Sequence, residues 1–252
     1  MTTTRDFATS FNAVAAEYAA LRPTYPPALY DAVEELTGRP LAGARVLDVG
    51  AGTGLGTRPL SERGAHVVAA EPGPGMAAQF RAALPHVPLV RGSGDALPFA
   101  DASFDLVTYA QAWHWTEPAR SVPQALRVLR PGGALALWWN VRDRSQPWVD
   151  AQERRLKRAL PGEHPADVTR TAPDIVRSLR PGAATAYREV SWSRVVPLAA
   201  HIANLATHSY FAVLDPARAR PILAAEEEAV GAEFPDGRVT EHYTVRLTVV
   251  PR

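Results

Sequence analysis

Four glycines at alternate positions follow an aspartate in the segment of the sequence best suited to bind a ligand. Within VLDVGAGTGLG (46–56), an apolar run contains Asp48 and leads into Gly50, Gly52, Gly54 and Gly56. Glycines at alternate positions let a backbone approach a ligand more closely than side chains would allow. The dinucleotide fingerprint needs another glycine three positions after the second, which this segment lacks, and no Gly-Lys-Ser/Thr of a triphosphate loop occurs in the chain. The segment therefore favours a ligand without phosphates.

Two more carboxylates follow later predicted strands. Glu71 comes 21 residues after Gly50, at the end of the apolar run AHVVAA, and Asp95 lies in the segment GSGDALPF. An acidic residue at the tip of the second strand can accept hydrogen bonds from both hydroxyls of a ribose. At the same edge, Asp95 could accept a hydrogen bond from an adenine amino group while Ala96 donates its backbone N–H to the ring. We therefore expect a nucleoside ligand that carries positive charge instead of phosphate.

The residues around these groups predict alternating strands and helices. Continuous apolar runs predict strands over residues 44–49, 65–70, 87–92, 104–110 and 134–139. Helices are expected between them, over about 27–37, 55–63, 75–84 and 119–130. Strands that are apolar throughout, rather than at alternate positions, are typical of parallel sheets with both faces covered. The pattern therefore predicts an open, doubly wound α/β fold with the ligand groups at the strand ends.

The chain on either side of this core predicts further helices and two more strands. Apolar residues at spacings of three and four predict an amphipathic helix over residues 6–20. After residue 140, helices are expected over 146–160, 173–179, 198–206 and 216–230, and strands over 187–195 and 238–250. We expect the last two strands to form a hairpin at the edge of the sheet. With 252 residues, 46% of them hydrophobic, the chain fits one domain.

The composition excludes several functions. A formal net charge of +1 argues against nucleic-acid binding, and the basic run ERRLKR (153–158) is interpreted as a solvated helix face. The chain has no cysteine, and its seven histidines are not spaced as metal ligands. No apolar run approaches the roughly 20 residues that span a bilayer, and the N-terminal segment lacks the apolar core of a signal peptide. We therefore expect a cytoplasmic protein, and the preference for arginine over lysine suggests a bacterial genome.

Four segments together resemble the class I S-adenosylmethionine-dependent methyltransferases. They are VLDVGAGTG, AAEPGPGM, GSGDALPF and FDLVTYAQAWHW, which occur in this order, each at a predicted strand end. The N-terminal FNAVAAEYAALRPTYP and the later HSYF (208–211) are similar to segments of the small-molecule branch of that family. The resemblance implies a Rossmann-like sheet of seven strands with one antiparallel C-terminal strand, a helical lid, and S-adenosylmethionine as the cofactor.

The resemblance also divides the chain into functional parts. Residues 1–40 would form the N-terminal lid, 41–140 the cofactor-binding core, 141–235 the substrate-side helices with one sheet strand, and 236–252 the final strand. All four parts belong to a single methyltransferase domain, which is expected to act as a monomer or a homodimer on a small molecule.

The resemblance places the cofactor contacts mainly in loops that follow the strands. Gly50, Ala51 and Gly52 would line the methionine part of the cofactor. Asp48 would help to fix its ammonium group through the loop, and Arg22 is a candidate partner for its carboxylate. The cofactor-binding residues predicted from the residues and the resemblance together are Tyr18, Arg22, Asp48, Gly50, Ala51, Gly52, Glu71, Pro72, Met76, Asp95, Ala96, Ala110, Gln111 and Trp113.

Methyl transfer from a sulfonium is a one-step in-line displacement with a neutral leaving group. The enzyme mainly has to hold the nucleophile, the methyl carbon and the sulfur in line, and such positioning can supply about 7–11 kcal/mol of rate acceleration. A hydroxyl nucleophile would also need a general base, for which His114 and His208 are candidates because histidine titrates near neutral pH. Tyr210 belongs with His208 to the predicted roof over the substrate. The alternative for His114 is a structural corner after a strand.

The residues expected around the acceptor are largely aromatic. They favour a flat, hydrophobic or cationic acceptor, since indole faces attract cations. An acidic acceptor paired with Arg142 or Arg144 is the alternative. Trp138 and Trp139 point to opposite faces of the fifth strand, so only one of them can line the site. The predicted substrate-binding residues are Tyr25, Trp115, Trp139, Asn140, Arg142 and Phe211.

Three functions therefore stay open. The first is methyl transfer to a small organic acceptor in specialised metabolism, with the methylated atom an oxygen, a nitrogen or a carbon. The second is a protein that binds S-adenosylmethionine without transferring its methyl group. The third is a nicotinamide-dependent oxidoreductase on a related fold, which the glycine spacing disfavours.

Overall fold

The computed structural model describes residues 20–160, 168–180, 182–212 and 214–252. The helix predicted over residues 6–20, which includes Tyr18, falls almost entirely outside the described residues. None of the helices in the described ranges is both long enough and apolar enough to cross a membrane.

Helices and strands alternate along most of the chain. The first part contains α1 Pro27–Thr37, β1 Arg45–Val49, α2 Thr57–Glu62, β2 His66–Ala70, α3 Pro74–Ala83, β3 Leu89–Val90, β4 Phe104–Ala110, α4 Pro118–Val128 and β5 Leu129–Arg142. The second part contains α5 Pro147–Ala159, α6 Val168–Leu179, β6 Ala186–Pro197, α7 Leu198–Ala206, α8 Ser209–Ala212, α9 Pro216–Glu233 and β7 Arg238–Pro251. Every predicted strand is present, although β3 covers only Leu89–Val90 of the predicted residues 87–92.

Seven strands form one mixed sheet in the order β3-β2-β1-β4-β5-β7-β6. Strand β1 pairs in parallel with β2 and β4, so Leu47 lies between Val68 and Val107. The C-terminal strand is antiparallel to the other six. The predicted doubly wound fold with one antiparallel strand is therefore confirmed. The strand order reverses direction between β1 and β4, and sheets of this kind bind ligands at the carboxyl ends of the strands at such a point.

The described residues group into two compact units. The larger unit comprises residues 24–140, 168–180, 182–190 and 245–252, and the smaller unit comprises residues 20–23, 141–160, 191–212 and 214–244. In the larger unit, the core contains fully buried residues of the sheet, among them Leu47, Val107 and Leu135. In the smaller unit, a separate apolar cluster is formed by Leu156, Leu160, Leu205, Tyr210 and Phe211.

Strand β5 begins earlier than the sequence predicts. Leu129 pairs with Phe104, and the register then shifts before regular pairing continues at Ala134. The run RPGG (130–133) was expected to separate the preceding helix from a strand that starts at residue 134. It instead forms an irregularity inside the strand, because Leu129 has already entered the ladder.

The glycine loop after β1 depends on two glycines for different reasons. Gly50 has φ 67°, and a Cβ added to it would lie 2.5 Å from Cβ of Ala112. Gly52 has φ 59°, but no heavy atom lies within 4 Å of the position that its Cβ would take. The first glycine therefore permits close packing against the turn after β4, whereas the second leaves open space beside the loop.

Alanine substitutions should separate these two roles. Both Gly50→Ala and Gly52→Ala impose a left-handed backbone on a residue with a Cβ, which costs roughly 1–2 kcal/mol. Gly50→Ala should lose about 1–3 kcal/mol more, since its Cβ overpacks against Ala112. Denaturant unfolding of the two variants measures the difference, and equal losses would show that the close contact at Gly50 is unimportant.

Candidate functional site

Glu71 is held at the end of β2 by backbone groups of two loops. Its side chain is 6% exposed, its Oε2 accepts from the N–H of Gly52 at 2.8 Å, and its Oε1 accepts from the N–H of Gly73 at 2.7 Å. Burial raises the pKa of Glu71 above its ordinary value, although these two bonds act in the opposite direction. Each carboxylate oxygen can accept two hydrogen bonds. One acceptor position on each oxygen therefore remains for a ligand.

Asp48 is fully buried below the glycine loop. Its Oδ2 accepts from the hydroxyl of Thr57 at 2.6 Å, and its Oδ1 accepts from the hydroxyl of Thr108 at 2.8 Å. Burial raises the pKa of Asp48 to about 6 in spite of these hydrogen bonds. Asp48 thus links the start of α2 to β4, and its predicted role toward the ammonium group of the cofactor stays a prediction. The two threonine partners carry no sequence signal and were not predicted.

Asp95 and Ala96 lie in the turn between β3 and β4. Oδ1 of Asp95 accepts from the backbone N–H of Glu117 at 2.9 Å, immediately before α4. The N–H of Ala96 donates to the carbonyl of Ser93 at 3.1 Å. The predicted hydrogen bond from Ala96 to an adenine ring is therefore not available in this conformation, because the turn already uses that donor. Among the described residues, no hydrogen bond uses the second oxygen of Asp95, which leaves this oxygen for a ligand.

Three further residues lie near the first two strand ends. Ala51 is buried in the glycine loop, and its N–H lies 3.2 Å from the carbonyl of Ala70. Met76 is buried on α3, while Pro72 is exposed and its carbonyl accepts from the side chain of Arg91. Whether Ala51, Met76 and Pro72 contact the cofactor stays a prediction.

Thr53 is a candidate that the sequence analysis missed. Its hydroxyl lies within the glycine loop, is buried, and has no hydrogen-bond partner among the described residues. A buried hydroxyl without a partner costs free energy, and a polar ligand group could supply the missing bond. Its position between Gly52 and Gly54 was the signal that could have pointed to it.

The turn after β4 is fixed by its own side chains. Gln111 has φ 57°, its N–H donates to the carbonyl of Trp138 at 2.8 Å, and its Oε1 accepts from the N–H of Asn140 at 2.5 Å. Trp113 begins a single 3₁₀ turn, is 1% exposed, and donates its indole N–H to the hydroxyl of Ser121 at 3.0 Å. The side chain of Trp113 is therefore buried in the core, and its predicted place beside the methyl donor stays a prediction. Ala110, at the end of β4, is partly buried.

His114 follows in the same turn and has a specific partner. Its Nδ1 lies 3.1 Å from Nε1 of Trp139, and its ring packs on Trp115 with centroids 4.4 Å apart. Burial lowers the pKa of His114 to about 4. The imidazole is therefore uncharged at neutral pH and is a weak base. This argues against the predicted general base at His114.

Trp138 and Trp139 face opposite sides of the sheet, as their adjacent positions on β5 require. Trp138 meets the rings of Tyr25 and Tyr30 edge-on at 6.0 and 6.1 Å between centroids. Trp139 is 3% exposed and packs in the core of the larger unit. The predicted contact of Trp139 with an acceptor is therefore not open in this structure. Asn140 donates from its side chain to the carbonyl of Thr24 at 2.9 Å.

In the smaller unit, His208 and Tyr210 form a hydrogen-bonded pair. The hydroxyl of Tyr210 lies 3.1 Å from Nδ1 of His208. Burial, and then the charges of Arg22 and Arg142, hold the pKa of His208 well below its ordinary value. Burial raises the pKa of Tyr210. The pair is therefore a hydrogen bond between an uncharged phenol and an uncharged imidazole. Arg22 donates to the carbonyl of Thr207 at 3.0 Å, within the same unit.

Arg142 and Arg144 differ in how their charges are used. Arg144 is half exposed and forms an ion pair with Asp150. Arg142 donates from Nη1 to Oε1 of Gln152, and its guanidinium carbon lies 5.2 Å from the ring centroid of Trp148. Its Nη2 is buried and has no partner in the described part of the chain. Arg142 therefore has a donor left for an anionic or carbonyl oxygen.

The buried acids of the smaller unit are already paired. Arg155 donates twice to Glu226, at 2.9 and 2.8 Å. Glu241 accepts from Arg194 and from Tyr243, at 2.6 and 2.9 Å. Burial alone would raise the pKa of Glu241, but the hydrogen bond with His201 and the charge of Arg194 lower it to about 2. Glu226 and Glu241 therefore form their hydrogen bonds with Arg155 and Arg194, and not with Arg142.

Phe211 was predicted to bind substrate but packs in the apolar cluster of the smaller unit. It is 5% exposed and lies with Leu156, Leu160 and Leu205. Its place in the sequence beside Tyr210 gave no indication of this burial, because the partners belong to other helices.

The raised pKa of Asp48 predicts a specific dependence of stability on pH. Between its ordinary value of 3.8 and about 6, the folded protein binds more protons at this site than the unfolded chain does. The free energy of unfolding should therefore fall as the pH rises through this window, by about 3 kcal/mol for this group. Asp48→Asn should lack this fall, as measured by denaturant unfolding from pH 4 to 7. Asp101→Asn, at an exposed carboxylate, is the control, and parallel curves for Asp48→Asn and the wild type would contradict the assignment.

Comparisons with known proteins place these features in a family. Residues 47–137 match a family model described as a methyltransferase domain. An uncharacterised methyltransferase of Mycobacterium tuberculosis is 40% identical over 216 residues, which cover 86% of this chain and 83% of the relative. A demethylmenaquinone methyltransferase of Renibacterium salmoninarum is 38% identical over 120 residues, which cover 47% of this chain and 51% of that protein.

A solved structure agrees with these matches. A candidate type II methyltransferase from Anaeromyxobacter dehalogenans superimposes with a TM-score of 0.68 at 27% identity, over 91% of this chain and 97% of that one. The chain therefore belongs to the class I S-adenosylmethionine-dependent methyltransferases.

Proposed function

We propose that the chain transfers the methyl group of S-adenosylmethionine to a small organic acceptor that is hydrophobic or aromatic. The observation that carries the cofactor half of this proposal is the carboxylate of Glu71, held by the N–H groups of Gly52 and Gly73 with acceptor positions to spare. Such a carboxylate suits the two hydroxyls of a ribose. We also propose that the enzyme is bacterial and cytoplasmic and that it acts in specialised metabolism. Its proposed state is a monomer or a homodimer.

The residues of the glycine loop fit the cofactor that the family implies. When bound, S-adenosylmethionine supplies an electrophilic methyl group on a sulfonium. Open space beside Gly52 and the unpartnered hydroxyl of Thr53 would receive its amino-acid part. Glu71 would hold the ribose, and the second oxygen of Asp95 would accept from the adenine amino group. No cation is required at this loop, in contrast to sites that bind phosphates.

The pKa values of the two candidate bases limit which chemical class of acceptor can be methylated. The two histidines predicted as bases, His114 and His208, both have pKa values lowered by burial. A weak base does not activate an alcohol well at neutral pH. We infer that the nucleophile is one that needs little help, such as a carboxylate, an amine or an electron-rich ring carbon. The similarity to demethylmenaquinone methyltransferases supports the last of these.

A second acceptor class, small carboxylic acids, is favoured by one observation. Nη2 of Arg142 is buried without a partner among the described residues, while Nη1 donates to Gln152 and the guanidinium lies over Trp148. A guanidinium presents parallel donors that match a carboxylate. Arg144, the other arginine named from the sequence, is already paired with Asp150.

Binding of S-adenosylhomocysteine tests the cofactor site. Glu71→Gln should raise its Kd about tenfold to a hundredfold, because the loss of a charged acceptor costs about 1.5–3 kcal/mol. Glu62→Gln, at an exposed glutamate on α2, should leave the Kd unchanged. Calorimetry on folded variants measures both. An unchanged Kd in Glu71→Gln, or tighter binding of NADH than of S-adenosylhomocysteine by the wild type, would end the assignment.

Turnover of matched acceptors tests the acceptor classes. The release of S-adenosylhomocysteine is measured with aromatic acids, with the corresponding amides, and with hydroquinones. If acids are methylated, Arg142→Gln should raise their KM at least tenfold, because Nη2 of Arg142 is buried without a partner among the described residues. Arg144→Gln should leave the KM unchanged, because Arg144 is paired with Asp150. Equal effects of the two substitutions would remove Arg142 from the acceptor site. Turnover of hydroquinones alone would favour the aromatic class.

A further inference from the structure

We propose that His114 holds an oxygen atom of the methyl acceptor through a hydrogen bond from its Nε2–H, with Trp139 as the positioning residue that fixes the ring. The inference rests on the proposed function. It adds one feature to the acceptor, a carbonyl, carboxylate or phenolate oxygen close to the atom that is methylated. It also replaces the role of general base that the sequence suggests for His114.

The partner of Nδ1 determines where the ring proton is. Nε1 of Trp139 lies 3.1 Å from Nδ1 of His114, and an indole nitrogen can only donate. Nδ1 is therefore the acceptor and carries no proton. Because burial lowers the pKa of His114, the ring is uncharged at neutral pH, and its single proton is on Nε2. Among the described residues, Nε2 has no hydrogen-bond partner.

The donor to Nδ1 is itself held in place. Trp139 is 3% exposed, and its ring meets that of Trp113 at 62° with centroids 6.3 Å apart. Trp113 is anchored in turn by its hydrogen bond to Ser121. Because Ser121 holds Trp113 and Trp113 packs against Trp139, the N–H of Trp139 stays directed at His114. This hydrogen bond, rather than solvent, selects the tautomer of His114.

The turn that carries His114 packs against the glycine loop. A Cβ at Gly50 would lie 2.5 Å from Cβ of Ala112, which immediately precedes the turn Trp113–Trp115. The side chain of Gln111 accepts from the backbone N–H of Asn140 and fixes the other end of this segment. His114 is therefore part of a rigid turn beside the loop proposed to hold the cofactor.

An uncharged donor suits methyl transfer from a cation. An imidazolium would add a positive charge in the neighbourhood of the sulfonium, and the two charges would repel each other. A neutral Nε2–H can orient an oxygen without that charge, and a neutral imidazole serves as a donor to a carbonyl in other enzymes. The hydrogen bond would fix the direction of the acceptor, which is the main requirement of an in-line displacement.

Nitrogen spectra test the protonation of the ring directly. Long-range ¹H–¹⁵N spectra of the histidine-labelled protein distinguish protonated from unprotonated ring nitrogens, and His114→Gln identifies the signals of His114. At pH 7 we expect a protonated Nε2 and an unprotonated Nδ1. A proton on Nδ1, or on both nitrogens, in the wild-type protein would overturn the proposal.

Two tryptophan variants form a matched pair for the positioning role. Trp139 and Trp138 are neighbours, both buried, but the N–H of Trp138 has no partner among the described residues. Trp139→Phe should produce a measurable population of His114 with the proton on Nδ1, and Trp138→Phe should leave the wild-type spectrum. The same spectrum in both variants would overturn the role of Trp139. If Trp139→Phe does not fold, the wild-type spectrum decides.

Kinetics with an acceptor from the panel above test the contact itself. His114→Ala should lower kcat/KM about tenfold, and His114→Gln should restore part of the loss, because its amide can donate. The Kd of S-adenosylhomocysteine should stay unchanged in both variants. Unchanged kcat/KM in His114→Ala, with S-adenosylhomocysteine still bound, overturns this inference alone. Failure of the wild type to bind S-adenosylhomocysteine overturns the proposed function instead.

Discussion

The carboxylate of Glu71 and the glycine loop that it holds are the constraint on which the rest of this site depends. Two backbone N–H groups, from Gly52 and Gly73, approach the two oxygens of one buried side chain. Gly52 has a left-handed backbone, which glycine permits, and at Gly50 the missing Cβ also permits close packing on Ala112. The loop, the second strand and the turn after β4 are therefore fixed relative to one another by a few contacts.

Two acids are buried at these strand ends, and both receive their hydrogen bonds from neutral groups. Threonine hydroxyls satisfy Asp48, and backbone N–H groups satisfy Glu71. Burying carboxylates in this way raises the pKa of each. A cationic ligand gains from the negative potential that such groups leave. The arrangement suits a sulfonium cofactor with an ammonium group better than it suits a phosphate.

Contacts with neighbouring side chains hold the candidate histidines and the aromatic rings beside them in fixed positions. His114, Trp139 and Trp113 form a connected set in the larger unit, and His208 with Tyr210 forms another pair in the smaller one. In both places burial keeps the imidazole uncharged at neutral pH, and in His114 Nδ1 is the acceptor. This chemistry favours orientation of an acceptor over removal of its proton, in agreement with the modest demands of methyl transfer.

The sequence by itself determined the order of helices and strands, the position of the glycine loop, and the place of Glu71 at a strand end. These features depend on local apolar periodicity and on glycine, which are read along the chain. Only the tertiary structure decided which groups meet, since Asp48 and Thr108 are 60 residues apart and His114 and Trp139 are 25 apart. It also decided that Arg142 keeps a buried donor while Arg144 is paired, that Ala96 uses its N–H inside a turn, and that Phe211 is core. Hydrogen bonding and burial depend on neighbours in space, and spacing along the chain does not specify them.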